Sequence, residues 1–258
     1  LANKSILAAA SDITAMGAVP FGVLLTTGFP SDITDSQLYE WLEAVGEICK
    51  THQLVVLGGD TVKSEKLLID VVVIGFCKET EIIRQSGARV GDSIWVTGEL
   101  GRARVSWISD ESHCHPEYFQ SDVPVRWNIL SDLRQTIPIR AMTDLSDGLW
   151  LDLKKILRNQ SLGAVINLDV LPVAPLAERF CRESGLDPLE FACLGGEDYE
   201  LLIIESGNRT MVSPQMLGQI PVTCIGQIIE EPEVILLKDG KRVNLTEEPY
   251  RHYHADHY

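Results

Sequence analysis

The sequence predicts a two-domain α/β (α+β) protein, and three observations predict it. Residues up to Phe76 read helix, strand, helix, strand, strand, which is not the pattern of a helical bundle. The character then changes near Glu79-Thr80, where a polar, glycine-punctuated segment, Arg84 to Asp92, begins. Beyond it strands and helices alternate, with no internal repeat and no low-complexity stretch. The division expected is 1–80 for an N-terminal domain and 81–258 for a C-terminal α/β domain.

Each element follows from local pattern. Ser5 to Met16 is Ala-rich at helical spacing, with Gly17 as its stop. Val23 to Thr27 is a strand closed by Gly28 and Pro30. From Asp35 to Lys50 the apolar residues Leu38, Trp41, Leu42, Val45 and Ile48 recur at three- and four-residue steps. That is an amphipathic helix, and Ser31, Asp32 or Thr34 can cap it. Gln53 to Leu57 is a short strand running into Gly58-Gly59-Asp60-Thr61, and Leu67 to Phe76 is a longer one rich in Val and Ile. In the second domain strands are expected at Ile94–Thr97, Ile139–Met142, Ala164–Leu168, Leu201–Ile204, Val222–Ile229 and Val234–Leu237. Helices are expected at Val125–Gln135, Leu149–Asn159 and Pro175–Ser184.

Composition excludes several functions. A chain of 258 residues, 45% hydrophobic and 23% charged, folds around a substantial core and is not disordered. A net charge of −15 argues against a nucleic-acid surface, which needs clustered Lys and Arg. No apolar run reaches the roughly 18–20 residues of a membrane span; the longest, Leu67 to Cys77, is interrupted by Asp70. Cys49, Cys77, Cys114, Cys181, Cys193 and Cys224 form no CxxC pair, so buried thiols in a reducing, cytoplasmic compartment are expected. No signal peptide is visible. The chain starts at Leu1, straight into what reads as the inside of a helix, as a fragment would.

Three glycine-and-acid clusters carry the candidate chemistry. Asp144-Leu145-Ser146-Asp147-Gly148 lies between a strand and a strong helix pattern, at a helix start that favours anions. Asp144 and Asp147, three apart, are expected to share a face of the first turn and could hold a metal, with Ser146 on a phosphate oxygen. The plainer account is an N-cap at Asp144 and a dipole-friendly acid at Asp147. Gly58-Gly59-Asp60-Thr61 is expected at a strand end, where paired glycines admit a ligand and Asp60 reaches a cation; a simple turn is the alternative. Asp12 sits in an apolar helix and is either a ligand-binding acid or a solvated one. Gly195-Gly196-Glu197-Asp198-Tyr199-Glu200 places three acids just before a strand, as a binding loop or merely a charged one. Arg84 and Arg89 are candidate phosphate clamps, or solvated linker residues. There is no GxxxxGK[ST] loop, no convincing GxGxxG and no Ser-His-Asp or Cys-His pairing. His252, His254 and His257 cluster with Tyr250, Tyr253 and Tyr258 in the tail, as a metal site or a frayed end.

Taken together and in order, these segments resemble the thiamine-monophosphate kinase family, of the aminoimidazole-ribonucleotide-synthetase-like ATP-binding superfamily. The resemblance rests on Ser11 to Ala18, Gly58 to Thr61, Arg84 to Ala88 with Gly91-Asp92, Val96 to Gly101, Asp144 to Leu149, Gly195 to Leu201, and Tyr250 to Tyr253. It covers nearly the whole chain, and Gly-Gly-Glu-Asp-Tyr-Glu-Leu is its most specific run. It implies transfer of the ATP γ-phosphate onto thiamine monophosphate with Mg²⁺, giving thiamine diphosphate. It implies that Asp12, Asp60, Asp144 and Asp147 hold metal, with Asp60 and Asp147 catalytic. Gly59, Asp60, Arg84 and Ser146 would contact ATP, and Glu197, Asp198 and Tyr250 would line the thiamine pocket. The family also implies a homodimer paired through the N-terminal mixed sheet and a further acidic N-terminal segment that has no counterpart ahead of Leu1, while charge and hydropathy already point to no nucleic-acid or membrane partner. A relative acting on another acceptor, such as selenophosphate or a purine-pathway amide, and a non-catalytic metal- or nucleotide-binding homologue are the competing expectations.

Overall fold

The structure is a computed structural model, and it describes residues 1–112, 122–158, 160–207 and 214–246. Tyr250, His252, His254, His257 and Cys114 lie outside the described residues. The chain forms two compact units: Leu1–Ile82 together with residues 122–128, and the remainder from Ile83 onward.

The first unit is built on a three-stranded sheet in the order β2-β1-β3. Its elements are α1 (Ala2–Ala15), β1 (Val19–Phe29), α2 (Asp35–Thr51), β2 (Val55–Lys63) and β3 (Leu68–Phe76). β1 runs parallel to β2 and antiparallel to β3. The pleat alternates, so Val23 opposite Val73 and Leu25 opposite Val71 point to one face. There they pack with Ile6 of α1 and Val45 and Cys49 of α2. Thr34 and Gln37 close the start of α2 as a reciprocal capping box. The other sheet face carries Leu24 opposite Val72 and Val19 opposite Phe76, all solvent-exposed.

Two expectations need correction here. β1 is longer than Val23–Thr27, because the sheet absorbs Pro20 at a register shift between Pro20 and Gly22. Gly58-Gly59-Asp60-Thr61 does not follow a strand; it lies inside β2, paired along β1. The reason is close approach: a Cβ on Gly59 would sit 1.8 Å from the Leu25 carbonyl oxygen, so only glycine fits that ladder position.

The second unit centres on an eight-stranded sheet, β11-β10-β6-β9-β4-β7-β5 with β8 beside β9. Its strands are β4 (Ser93–Thr97), β5 (Ile139–Asp144), β6 (Gly163–Asn167), β7 (Leu201–Glu205), β8 (Gln215–Leu217), β9 (Ile220–Ile229), β10 (Val234–Lys238) and β11 (Lys241–Val243). Only β10 and β6 pair in parallel among them. The helices are α3 (Arg102–Ser112), α4 (Leu130–Thr136), α5 (Leu149–Arg158), α6 (Pro175–Ser184) and α7 (Pro188–Leu194). Leu149, Leu153 and Ile156 of α5 bury against Ile94, Val96, Leu202 and Ile204 of the sheet. Val105, Ala177, Cys181 and Phe191 join α3, α6 and α7 in a second cluster. The helix expected over Val125–Gln135 is instead a short 3-10 turn, Trp127–Ile129, followed by α4.

Cys49, Cys181, Cys193 and Cys224 are buried free thiols, and Cys77 is exposed. Burial pushes the Cys193 thiol up to about 12, so it is an inert packing group. Among the described residues no helix is long and apolar enough to cross a membrane.

Candidate active site

The site in the second unit is made where β5 ends. Asp144 is the last residue of β5 and is 4% exposed, and Leu145-Ser146-Asp147-Gly148 leads into α5. Asp144 and Asp147 therefore do not share a helical turn, and Asp144 does not cap α5. The helix start is organised otherwise: Gly148 contributes its carbonyl to the Asp152 N–H at 2.9 Å. Asp152 reaches back with Oδ2 to accept the Asp147 N–H at 2.9 Å. Asp152 thus satisfies the Asp147 amide, while the Asp147 carboxylate engages the Lys155 ammonium.

The acid loop before β7 zips onto this turn. The Glu197 N–H donates to the Ser146 carbonyl at 2.8 Å and the Tyr199 N–H to the Leu145 carbonyl at 2.9 Å. The Leu145 N–H donates to the Glu200 carbonyl at 2.8 Å. Two motifs some fifty residues apart in sequence thus form one backbone-paired unit. Glycines make the approach possible, since a Cβ on Gly148 would lie 2.5 Å from the Gly195 carbonyl oxygen. Glu197 and Tyr199 have φ of 64° and 50°, left-handed for non-glycine residues. Such conformations cost free energy and persist where the surroundings enforce them, as at binding sites.

The acids of this loop divide by role. Glu197 is half-buried at the surface of the loop. Asp198 is buried, with Oδ2 accepting from the Gly101 N–H at 2.7 Å and Oδ1 from the Ala103 N–H at 3.1 Å. It caps the start of α3 from a distant part of the chain, satisfying donors the helix leaves orphaned. Burial pushes its carboxyl up to about 7, against the lowering effect of those two amides. Glu200 is buried too, and its Oε2 accepts from the Thr97 hydroxyl at 2.6 Å. The same hydroxyl oxygen accepts the Leu201 N–H at 2.8 Å. Gly98 is required beside it, since a Cβ there would stand 1.9 Å from Glu200 Oε1. The roles of Thr97, Gly98 and Glu200 were missed in sequence, although all three lie in stretches already singled out as motifs.

Charge at the start and along one side of α5 is concentrated on a triad that local spacing did not suggest. The Lys155 ammonium pairs with Asp147 Oδ2 and, at 2.8 Å, with Asp152 Oδ1. Burial raises the Asp152 carboxyl, and the hydrogen bond and charge of Lys155 only partly offset that. For Lys155 burial acts downward, but its hydrogen bonds to Asp147 and Asp152 outweigh it and hold the ammonium above its ordinary value.

Arg84 and its neighbour lie along β5. The Met142 N–H donates to the Arg84 carbonyl at 3.1 Å, and the Gln85 amide donates to Thr143 Oγ1 at 3.0 Å. The Arg84 side chain is exposed. Arg89 belongs to a tight turn in which its N–H donates to the Asp92 carboxylate at 2.8 Å, and Asp92 pairs with Arg140 at 2.7 Å.

The first unit presents its acids separately. Asp60 is exposed on β2 and accepts the Thr61 N–H at 2.8 Å. Asp60 and Asp70 flank Thr26 from the two neighbouring strands, a juxtaposition set by register and invisible in sequence. Asp12 is exposed on α1. Among the described residues no three His, Cys, Asp or Glu side chains are gathered around one metal position. The donor chemistry nevertheless fits a hard divalent cation: carboxylate oxygens of Asp144 and Asp147 and the Ser146 hydroxyl. The Lys155 ammonium on Asp147 shows that this carboxylate already attracts positive charge.

Fold and site together define a class, a two-unit mixed α/β protein with paired glycine-acid loops. Two family models match: the N-terminal domain of AIR synthase related proteins over residues 1–77 and their C-terminal domain over 89–238. The chain is 32% identical over 253 residues to thiamine-monophosphate kinase of Aquifex aeolicus, covering 93% of this chain and 77% of that one. It is 31% identical over 220 residues to thiamine-monophosphate kinase of Rhodopirellula baltica, covering 85% of this chain and 65% of that one. A solved structure described as AaThiL complexed with AMPPCP and TMP superposes with a TM-score of 0.79 at 26% identity, over 95% of this chain and 77% of that one. The chain belongs to the thiamine-monophosphate kinases, within the AIR synthase related family.

Proposed function

We propose that this protein transfers the γ-phosphate of ATP to the phosphate of thiamine monophosphate, giving thiamine diphosphate and ADP. The observation that carries the reading is the zipped pair of loops, in which a helix-start turn with Asp144, Ser146 and Asp147 is held against the run Gly195 to Glu200. The first half suits a polyphosphate, and the second is the segment that distinguishes this kinase in the resemblance. The relatives' names, and a related structure holding AMPPCP and TMP, support donor and acceptor.

In this reading a terminal oxygen of the acceptor phosphate attacks the γ-phosphorus in line. The bond from that phosphorus to the β-bridging oxygen breaks, and ADP leaves with the electron pair. Both reactants are anions, so the chain must offset their repulsion and fix their approach. By the resemblance Asp12, Asp60, Asp144 and Asp147 would be Mg²⁺ ligands, and Asp60 and Asp147 would each carry a catalytic role. When bound, the divalent ions supply charge neutralisation and Lewis acidity at the phosphoryl oxygens. Ser146, Arg84, Gly59 and Asp60 bind and orient ATP. The resemblance assigns Glu197 and Tyr250 to the thiamine pocket, where an aromatic ring and a carboxylate would suit a cationic thiazolium. Asp198, with its oxygens held by the Gly101 and Ala103 amides at the start of α3, would shape the adjoining wall of that pocket.

A second copy of the chain completes the assembly in this reading. The exposed apolar face of the first sheet, with Leu24, Val72 and Phe76, is suited to pairing as a homodimer. Free thiols at the five described cysteines suit a reducing compartment, the cytoplasm. An acceptor-competition assay with labelled ATP tests the function. Label is expected in thiamine diphosphate; label appearing only in another acceptor identifies a relative with different specificity, and none anywhere, with Mg·ATP failing to bind the folded chain, overturns the kinase reading.

A further inference from the structure

We infer that Lys155 is a built-in counter-cation of the metal site, which a divalent ion must displace from Asp147. The inference rests on the reading of Asp147 as a metal ligand. Three observations point to it. The Lys155 ammonium spans Asp147 and Asp152, occupying the side of Asp147 that faces along α5. Asp152 is 1% exposed, and its other oxygen is fixed by the Asp147 N–H, so Asp152 cannot move out to take part in coordination. Lys155 itself is half-exposed on a flexible stem, so it can leave Asp147 while keeping Asp152 as its partner.

The physical consequence is a competition. Before the metal arrives, the Asp147 carboxylate is neutralised by the ammonium of Lys155, eight residues along the chain. Divalent binding replaces one ammonium contact by stronger coordination, and the freed ammonium remains beside Asp152. An exposed ion pair is worth about 0.2–1 kcal/mol. Loss of the competitor therefore tightens metal binding by roughly 1.4- to fivefold on that scale. Lys155 acts through Asp147 and is a positioning residue, not a catalytic one.

The test is direct binding of Mn²⁺ to the full chain, followed by calorimetry and by the electron-spin signal of free Mn²⁺, for wild type, Lys155→Met and Asp147→Asn. Lys155→Met leaves Asp152 buried without its counter-charge, so the double variant Asp152→Asn/Lys155→Met is measured as well. Tighter Mn²⁺ binding in Lys155→Met or in the folded double variant, with weaker binding in Asp147→Asn, is the expected result. Equal or weaker binding in both Lys155 variants, while Asp147→Asn still weakens it, overturns the role of Lys155 and leaves the metal ligand standing. Mn²⁺ binding unchanged by Asp147→Asn overturns the underlying reading and this inference with it.

Discussion

Gly148 and Gly195 approach so closely that a single methyl group on Gly148 would stand 2.5 Å from the Gly195 carbonyl oxygen. That contact is where the helix-start turn and the acid loop become one object. It ties the position of Asp147 to that of Glu197, through the Glu197–Ser146 and Tyr199–Leu145 backbone bonds.

Gly148→Ala is expected to break this union. Its φ of 98° is hostile to a side chain, and the Cβ meets backbone that cannot rotate away. A loss of about 1–3 kcal/mol in denaturant unfolding is expected, together with weakened Mg·ATP binding in calorimetry. Wild-type stability and binding in the variant would show that the two loops do not depend on this contact.

Thr97→Val replaces the hydroxyl that links Glu200 to the Leu201 N–H by a methyl of similar size. Two buried polar groups lose a partner at once, costing about 1–3 kcal/mol of stability. Thr97→Ser restores the hydroxyl and is expected to recover most of that loss in the same unfolding series.

Asp198 gives a pH signature with a definite sign. Its folded-state carboxyl sits at about 7 and its unfolded value is about 3.9. Between these values the folded protein binds more protons than the unfolded chain, so this group's contribution to stability falls as pH rises through the window and is flat above it. The difference in unfolding free energy between wild type and Asp198→Asn is expected to show that fall. A difference that rises with pH across the same window would contradict a buried, largely protonated Asp198.

Val72→Lys sets a charge in the middle of the exposed face of the first sheet, next to Leu24. Sedimentation equilibrium is expected to show a wild-type dimer and a variant monomer, with the helical content of both unchanged. A monomeric wild type at assay concentration would refute pairing through this face.

Much of the fold was legible because it rests on local rules. The spacing of Leu38, Trp41, Val45 and Ile48, with Thr34 ahead of them, specifies α2 and its cap. α3 escaped notice because the stretch after Gly101 is polar and its start is capped by Asp198, ninety-five residues beyond Ala103. Gly58 and Gly59 read as a turn because glycine pairs usually are; here a strand uses them to pass close to Leu25, a fact of tertiary contact. In the site, Asp144, Ser146, Asp147 and Glu197 stood out by residue type and spacing. The restraints behind them, buried Asp152 and half-exposed Lys155, did not, since an acid or lysine on a helix looks solvated until its neighbours are placed; Thr97 and Glu200 lay inside quoted motifs, but their mutual bond is a tertiary contact.

The central claim is that the Asp147 carboxylate holds the divalent charge needed for phosphoryl transfer, and Asp147→Asn tests it with little change of shape. Turnover of labelled ATP onto thiamine monophosphate is measured across a Mg²⁺ series, alongside thermal unfolding. The account predicts a fall of roughly 10²–10³-fold in turnover with the fold retained. Unchanged turnover at limiting Mg²⁺ would contradict it and leave Asp147 as nothing more than an acid at a helix start.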